Sequence, residues 1–285
     1  MAEVAASYKK TLSPHIRGEE SLPKRFWGQV IALVPIFIAA CLTRHAEILR
    51  ILLICLVSAI TFEYLAVKLF RKKENLRSGE TVLTAALFSL LMPSRCPSEI
   101  VIFGVFVAVV AAREVFGGTG SYLLHPVLLA RVFLKISFPK IMAEPMLLAG
   151  ESHLGILVGI GLGAILLFRQ KQNYWETPLL FIASCFIWEA LMGGRAMPLA
   201  FFGSVLLTAF FLLADPVTLP LTRKGTRIFV LGTALLSSCL GGEGFSIRSA
   251  VYAILLMDLL TPWLDVWLKP VSHEAKQTLK ATYPA

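Results

Sequence analysis

"REVFGGTGSYLLHP", Arg113 to Pro126, is the stretch whose reading decides how this chain folds. Apolar residues crowd it on both sides, yet its middle carries Gly117, Gly118 and Gly120. Glycine costs helix stability and frees the backbone. A membrane segment broken at this point needs a physical reason.

Working outward, 56% of the chain is hydrophobic and the mean hydropathy is +0.74. The apolar residues arrive in long blocks without the charged face of a soluble surface helix, which predicts a polytopic helical membrane protein. The first 25 residues are polar and basic, with no apolar core of the kind a signal peptide needs. A net charge of +9 in such a chain reports topology and contact with anionic lipid, not nucleic acid. Cys41, Cys55, Cys96, Cys185 and Cys239 form no C-x-x-C pair and no His-containing ligand set, so neither disulfides nor a metal site are expected.

Apolar blocks between polar breaks give ten segments: 26–42, 48–70, 79–93, 98–116, 126–138, 153–168, 177–192, 199–214, 226–240 and 249–268. Thr84 in "VLTAALF" and Thr208 in "LLTAFFL" lie 124 residues apart, and "GGTG" from Gly117 repeats as "GGEG" from Gly241 at the same offset. That one shift also superposes all five first segments on the second five, which reads as an internal duplication. Five is odd, so the second copy enters from the opposite side. The expectation is an all-α, inverted-topology repeat with its site near the bilayer midplane. The chain divides into a cytoplasmic segment 1–25, repeats 26–138 and 153–268, an outer loop 139–152 and a cytoplasmic tail 269–285.

Segments three and five hold about 13 to 15 residues, roughly 20 Å of helix against a hydrocarbon core of about 30 Å. Short segments beside glycine loops predict broken helices whose free backbone faces a protein cavity. Gly155, Gly159 and Gly163 instead have the spacing of close helix packing. Lys and Arg concentrate on one side: Arg71, Lys72, Lys73, Arg77, Arg223 and Lys224 against Arg44, Arg95, Lys140, Arg195 and Arg248. This asymmetry predicts both termini in the cytoplasm of a multi-pass protein in the inner (plasma) membrane.

Ionisable groups inside apolar segments are candidates for function. Glu63, Glu189 and Asp258 are expected on an ion path, with a satisfied interhelical ion pair as the alternative for Glu63 and Glu189. His125 stands beside the glycine loop, and Asp215 ends segment eight in "LLADPVTLPLTRKG", where Thr218 and Thr222 offer hydroxyls. No Walker loop, nucleophile elbow, zinc motif or dinucleotide fingerprint is present.

"REVFGGTGSYLLHPVLLARVFLKISFP" resembles the F-G-G-x-G-x-N-x-x-N-P-A signature shared by RnfD of the Rnf complex and NqrB of the sodium-translocating NADH:quinone reductase. "FFLLADPVTLPLTRKGTRIF", "GESHLGILVGIGLGAILLFR" and "SAVYAILLMDLLTPWLD" resemble further stretches of that family, in family order. The resemblance implies a urea-transporter-like fold of ten helices in two inverted halves. It also implies a membrane component of a complex coupling electron transfer from ferredoxin or NADH to Na+ or H+ transport, through flavin, with no activity alone. The partners it implies are the other membrane and peripheral subunits and the bilayer. Gly117, Gly118, Gly120, Tyr122, His125, Asp215, Thr218 and Thr222 are then the expected flavin contacts.

The chain departs from the family in ways that bear on the cofactor. The S-G-A-T threonine that carries FMN through a phosphoester is missing from the outer loop "PKIMAEPMLLAGES", and Thr81 in "SGETVLT" is the nearest look-alike, on the inner side. Tyr122 and His125 replace the two family asparagines, and Asp258 stands where the family has Asn. The expectation is therefore FMN or riboflavin held without a covalent bond. The alternatives are a stand-alone channel or carrier on the same repeat, and a membrane anchor for an extracytoplasmic flavoprotein.

Overall fold

The computed structural model describes residues 22–70, 78–144, 146, 153–169, 175–191, 199–241 and 245–268. Residues 242–244 of the second glycine motif, the basic run 71–77, most of the segments 1–25 and 269–285, and 147–152 of the outer loop lie outside them. The described chain is all helix apart from turns and one isolated bridge between Pro93 and Met146.

The first element, α1 (Leu22–Phe70), contains two apolar stretches, Leu22–Leu42 and Glu47–Phe70. Next come α2 (Glu80–Leu91) and α3 (Ser98–Phe106), the latter continued as a π-helix over Val107–Glu114. After the glycine loop follow α4 (Pro126–Ser137), a 3-10 turn at Ile141–Ala143, α5 (His153–Arg169) and α6 (Glu176–Leu191). Then α7 (Leu199–Leu207) passes into a second π-helix, Thr208–Leu212, followed by α8 (Arg223–Leu240) and α9 (Ile247–Trp267). Local chemistry sets several of these boundaries. Pro126 opens α4 at a position where its missing N–H is not needed. The Thr222 hydroxyl caps α8, and Ser246 with Ser249 forms a capping box on α9.

The two stretches of α1 lie side by side. Trp27 and Glu63 would be about 54 Å apart on one straight helix. Yet the Trp27 ring sits 2.9 Å from where a Cβ on Gly79 would lie, and Glu63 pairs with Arg113, which also bonds Thr81. Both stretches therefore meet the start of α2. At the far end of α2, Arg50 donates to the carbonyls of Ser94 and Cys96 at 3.4 and 3.2 Å. The second stretch thus runs antiparallel to α2.

Two further pairs are antiparallel. A Cβ on Gly159 would meet the Pro35 carbonyl at 2.9 Å, and one on Gly163 would meet the Ala32 carbonyl, so α5 runs against the first stretch of α1. Gly159 and Gly163 let two backbones touch, as their spacing predicts. His125, at the head of α4, bonds Asp258, while Arg131 faces Arg248 and Tyr252, so α4 runs against α9. As the sequence predicts, α2 and α4 are short, 12 residues each, whereas α9 has 21.

Phe88, Phe211, Phe229, Ile36 and Ile51 fill the core. The outward faces are equally apolar, with Leu53, Val57, Leu162 and Leu259 half exposed or more. In water such a surface would aggregate; in hydrocarbon it is the surface required. Three helical stretches are long and apolar enough to cross a membrane, Leu22–Leu42, Glu47–Phe70 and Ile247–Trp267, and the chain is a multi-pass membrane protein. Trp263 and Trp267 lie with ring centroids 5.7 Å apart and tilted near the end of α9, 65% and 76% exposed, as an interfacial aromatic anchor would be.

Candidate functional site

Each π-helix opens its last turn by one residue, with Val115 N–H donating to Val110 O at 3.0 Å and Leu213 N–H to Thr208 O at 2.9 Å. Both deliver the chain into the same buried region. The first leads into Gly117, Gly118 and Gly120, whose φ values of +125°, +95° and +79° are open to glycine and strained for other residues. The second leads to Asp215, and the Gln29 side chain fixes the approach by donating to Ala214 O at 2.8 Å.

At the junction the Tyr122 hydroxyl donates to Asp215 Oδ1 at 3.2 Å, and Val217 N–H donates to the same oxygen at 3.1 Å. His125 N–H donates to Asp258 Oδ2 at 3.0 Å. Thr218 lies beside Asp258, and its carbonyl accepts from the Thr261 hydroxyl at 3.3 Å. Tyr122, His125, Asp215, Thr218 and Asp258 are all buried. Asp215 lies in the connection after the second π-helix, where burial pushes its carboxyl up to about 6 against the hydrogen bonds from Val217 and Tyr122, which pull it down. Within this junction Asp215 Oδ2, Asp258 Oδ1 and His125 Nδ1 are buried with no hydrogen-bond partner among the described residues. Buried polar atoms are nearly always satisfied, so this set calls for a ligand, water or protons.

Next to the junction lies a charged cluster. Arg113, wholly buried, contacts Glu114 at 3.1 Å, the Thr81 hydroxyl at 2.9 Å and Glu63 at 3.5 Å. Glu80 is buried too, with Arg113, Thr119, Asp215 and Glu63 as its electrostatic neighbours, and so connects the cluster to the junction.

Of the residues singled out in the sequence, Tyr122, His125, Asp215, Thr218 and Asp258 come together. Gly117, Gly118 and Gly120 form the loop that brings Tyr122 and His125 there. Thr222 does not join them: its hydroxyl accepts from Gly225 N–H at 3.0 Å as the α8 cap. Glu63 is in the buried ion pair, and Thr81 sits under the Arg113 guanidinium. Glu189 is half-buried on α6, with Cys185 one turn away, and stands apart from the other acids. Arg113, Glu114, Glu80 and Thr261 were not singled out as site residues. Adjacent opposite charges in "ARE" at the end of an apolar block were the available signal.

The fold and site define a class: a multi-pass membrane protein with a buried polar junction between short and broken helices. The chain belongs to the NQR2, RnfD, RnfE family, which matches residues 9–157 and 147–274. It is 26% identical over 316 residues to the D subunit of a proton-translocating ferredoxin:NAD(+) oxidoreductase complex from Clostridium ljungdahlii, covering 93% of this chain and 96% of that one. It is 27% identical over 280 residues to the D subunit of an ion-translocating oxidoreductase complex from Methanosarcina acetivorans, with coverage of 93% and 96%. A third relative, the D subunit of a Na(+)-translocating ferredoxin:NAD(+) oxidoreductase complex from Acetobacterium woodii, is 27% identical over 293 residues, with coverage of 90% and 92%.

Proposed function

We propose that this chain is the RnfD-type membrane component of an Rnf complex, coupling electron transfer between ferredoxin and NAD to the movement of Na+ or H+. The reading rests on family membership along nearly the whole chain, on relatives named for that activity, and on the junction. Its partners are the other membrane and peripheral subunits, its location the inner (plasma) membrane, and the chain alone has no turnover.

The observation that carries the site assignment is the unsatisfied set Asp215 Oδ2, Asp258 Oδ1 and His125 Nδ1. Acceptors and a ring nitrogen together suit a planar heterocycle that carries both N–H and C=O groups, which a flavin ring does. Tyr122, His125, Asp215, Thr218 and Asp258 would hold it without a covalent bond, and Gly117, Gly118 and Gly120 would let backbone approach it. A flavin there would supply one- and two-electron transfer. The chain's own residues orient it and keep water from it. Asp258 and Asp215, buried beside each other's field, are the groups on which a cation or proton would be held during passage. Glu63 contributes through the Arg113 pair, and Glu189 from the side of α6.

The architecture proposed is ten segments in two inverted five-segment halves with both termini cytoplasmic. Segment one packs antiparallel on segment six, and segment five antiparallel on segment ten, which are the equivalent pairs under the 124-residue shift. The first and last described residues also share an end: Gln29 reaches Ala214, and Leu268 lies 3.6 Å from a Cβ on Gly225. Arg25, Lys68, Arg223 and Lys224 belong to the segment ends on that side, which supports reading it as the cytoplasmic one.

The test is a flavin assay on the complex purified with this chain, by native absorbance and by in-gel fluorescence after denaturation. The expected result is flavin that leaves this chain on denaturation and is lowered by Asp258→Leu with Asp215→Leu. A fluorescent band at this chain's mass would overturn the non-covalent reading, and flavin content unchanged by both substitutions would overturn the site.

A further inference from the structure

The junction reading leaves two buried polar residues without a role, at the end of α2 read as cytoplasmic. Ser78 and Glu80 flank Gly79, whose φ of +79° turns the chain into α2. Ser78 is 5% exposed and Glu80 2%. Ser78 Oγ and both carboxyl oxygens of Glu80 are buried with no hydrogen-bond partner among the described residues. Buried polar atoms are nearly always satisfied, so these call for a ligand or a proton.

The groups facing Glu80 come from separate elements. They are Glu63 on α1, Arg113 on the first π-helix, Thr119 and the Tyr122 phenol in and after the glycine loop, and Asp215 after the second π-helix. Arg113 is the cation among them, and its guanidinium already meets Glu114 at 3.1 Å and Glu63 at 3.5 Å. A buried carboxyl left without donors of its own is costly as an anion and cheap as a neutral acid. A metal ion would have to sit within the field of the same guanidinium, and no group of three His, Cys, Asp or Glu side chains fit to hold one occurs among the described residues. A proton meets the need without that repulsion. Two of the neighbours suit its movement. Thr119 is half-buried in a loop whose Gly117, Gly120 and Ser121 are exposed, and its hydroxyl can both donate and accept. Asp215 has an oxygen, Oδ2, that also lacks a partner.

We propose that Glu80 is a proton-carrying group that links the aqueous face at the glycine loop to Asp215. The Glu80 O–H bond breaks as its proton passes to the Asp215 carboxylate. The Glu80 carboxylate left behind is reprotonated from water by way of the Thr119 hydroxyl, and no electron moves. The Ser78 hydroxyl, two residues away across the turn, is the donor that the carboxylate form needs. This step rests on the reading of Asp215 as a group that holds a proton in passage, and it does not depend on flavin.

The experiment is infrared spectroscopy of the full chain in an ester-free detergent, following the C=O stretch of protonated carboxyl groups and its shift on transfer from H2O to D2O. The expected result at pH 7 is a protonated-carboxyl band that 13C-glutamate labelling moves and Glu80→Gln removes. At pH 5 a second band, moved by 13C-aspartate and removed by Asp215→Asn, exchanges its proton about 100-fold more slowly in Glu80→Gln than in wild type. Thr119→Val keeps the first band and slows its exchange. Should Glu80→Gln not fold, the labels in wild type and in Thr119→Val carry the test. Absence of the glutamate band, or its persistence in Glu80→Gln, overturns the proposal. So does a Tm raised by Na+ and not by choline that Glu80→Gln abolishes, which would make the site one for a metal cation. Aspartate exchange equal in wild type and Glu80→Gln overturns the link to Asp215. A missing aspartate band sinks the reading of Asp215 itself, and the link with it, while a failed flavin assay leaves all these spectra as expected.

Discussion

The Tyr122 hydroxyl donates to Asp215 Oδ1 at 3.2 Å across 93 residues of chain, joining the glycine loop to the connection that follows the second π-helix. Tyr122 is 6% exposed and Asp215 7%, so the bond is made away from solvent. Tyr122→Phe keeps the ring packing and removes the donor. Asp215 then keeps Val217 N–H as partner while losing a bond to a charged group. Such a loss costs about 1–3 kcal/mol. The expected outcome is a lower Tm for the purified protein, with Tyr122→Leu lower still because the ring contacts go too; an unchanged Tm in Tyr122→Phe would mean the bond contributes nothing.

The same carboxyl gives a pH prediction. Burial raises Asp215 from its ordinary 3.8 to about 6 in the folded chain. Between those values the folded state binds the proton that the unfolded state has lost, so stability falls as pH rises from about 4 through about 6. Tyr122, Asp258 and Glu80 are the titratable groups facing it. Asp215→Asn removes this component. The difference in Tm between variant and wild type should shift in favour of the variant on going from pH 4.5 to 6.5, and a difference that stays flat would rule the assignment out.

Arg113 defines a third prediction. Its buried guanidinium serves Glu63, Glu114 and Thr81 at once. Arg113→Met takes the guanidinium away from two buried carboxyls, a class of change that costs about 3–5 kcal/mol. Arg113→Met with Glu63→Gln and Glu114→Gln removes the charges together and should recover much of the yield of folded protein. If the triple variant is no better than Arg113→Met, the defect lies in packing and not in charge.

How far the sequence carried this picture depends on what a residue type encodes. Glycine and hydrophobic length are read directly, so the positive-φ loop at Gly117–Gly120 and the 12-residue α2 and α4 were legible in advance. Tyr122, His125, Asp215, Thr218 and Asp258 were legible because polar groups in apolar surroundings are conspicuous. What escaped was burial. Arg113 and Arg131 look like any basic residue at the end or in the middle of a segment, and the sequence does not say that one meets two carboxylates while the other meets Arg248. Thr222 misled for a related reason, since a hydroxyl beside a site and a hydroxyl capping a helix are written with the same letter. The π-helices before Gly117 and Asp215 left no signal either, because the extra residue is accommodated by long-range packing.

The contact between α5 and the first stretch of α1 supplies the last prediction. Gly163 faces the Ala32 carbonyl and the Phe211 ring, the latter 3.0 Å from where a Cβ would lie, and Gly159 faces the Pro35 carbonyl and Ile36 Cα at 2.9 and 3.0 Å. Backbone cannot move aside as a flexible side chain can. Gly163→Val must therefore push the two helices apart, an overpacking of about 1–3 kcal/mol that also exposes the neighbouring contacts to lipid. Gly161, on the same helix with nothing within 4 Å of its Cβ position, provides the control. Gly161→Val should leave stability within about 0.5 kcal/mol of wild type, as surface changes do. Equal destabilisation by the two would place the cost in helix propensity, and the close approach of α1 and α5 would lose its claim to hold the two helices together.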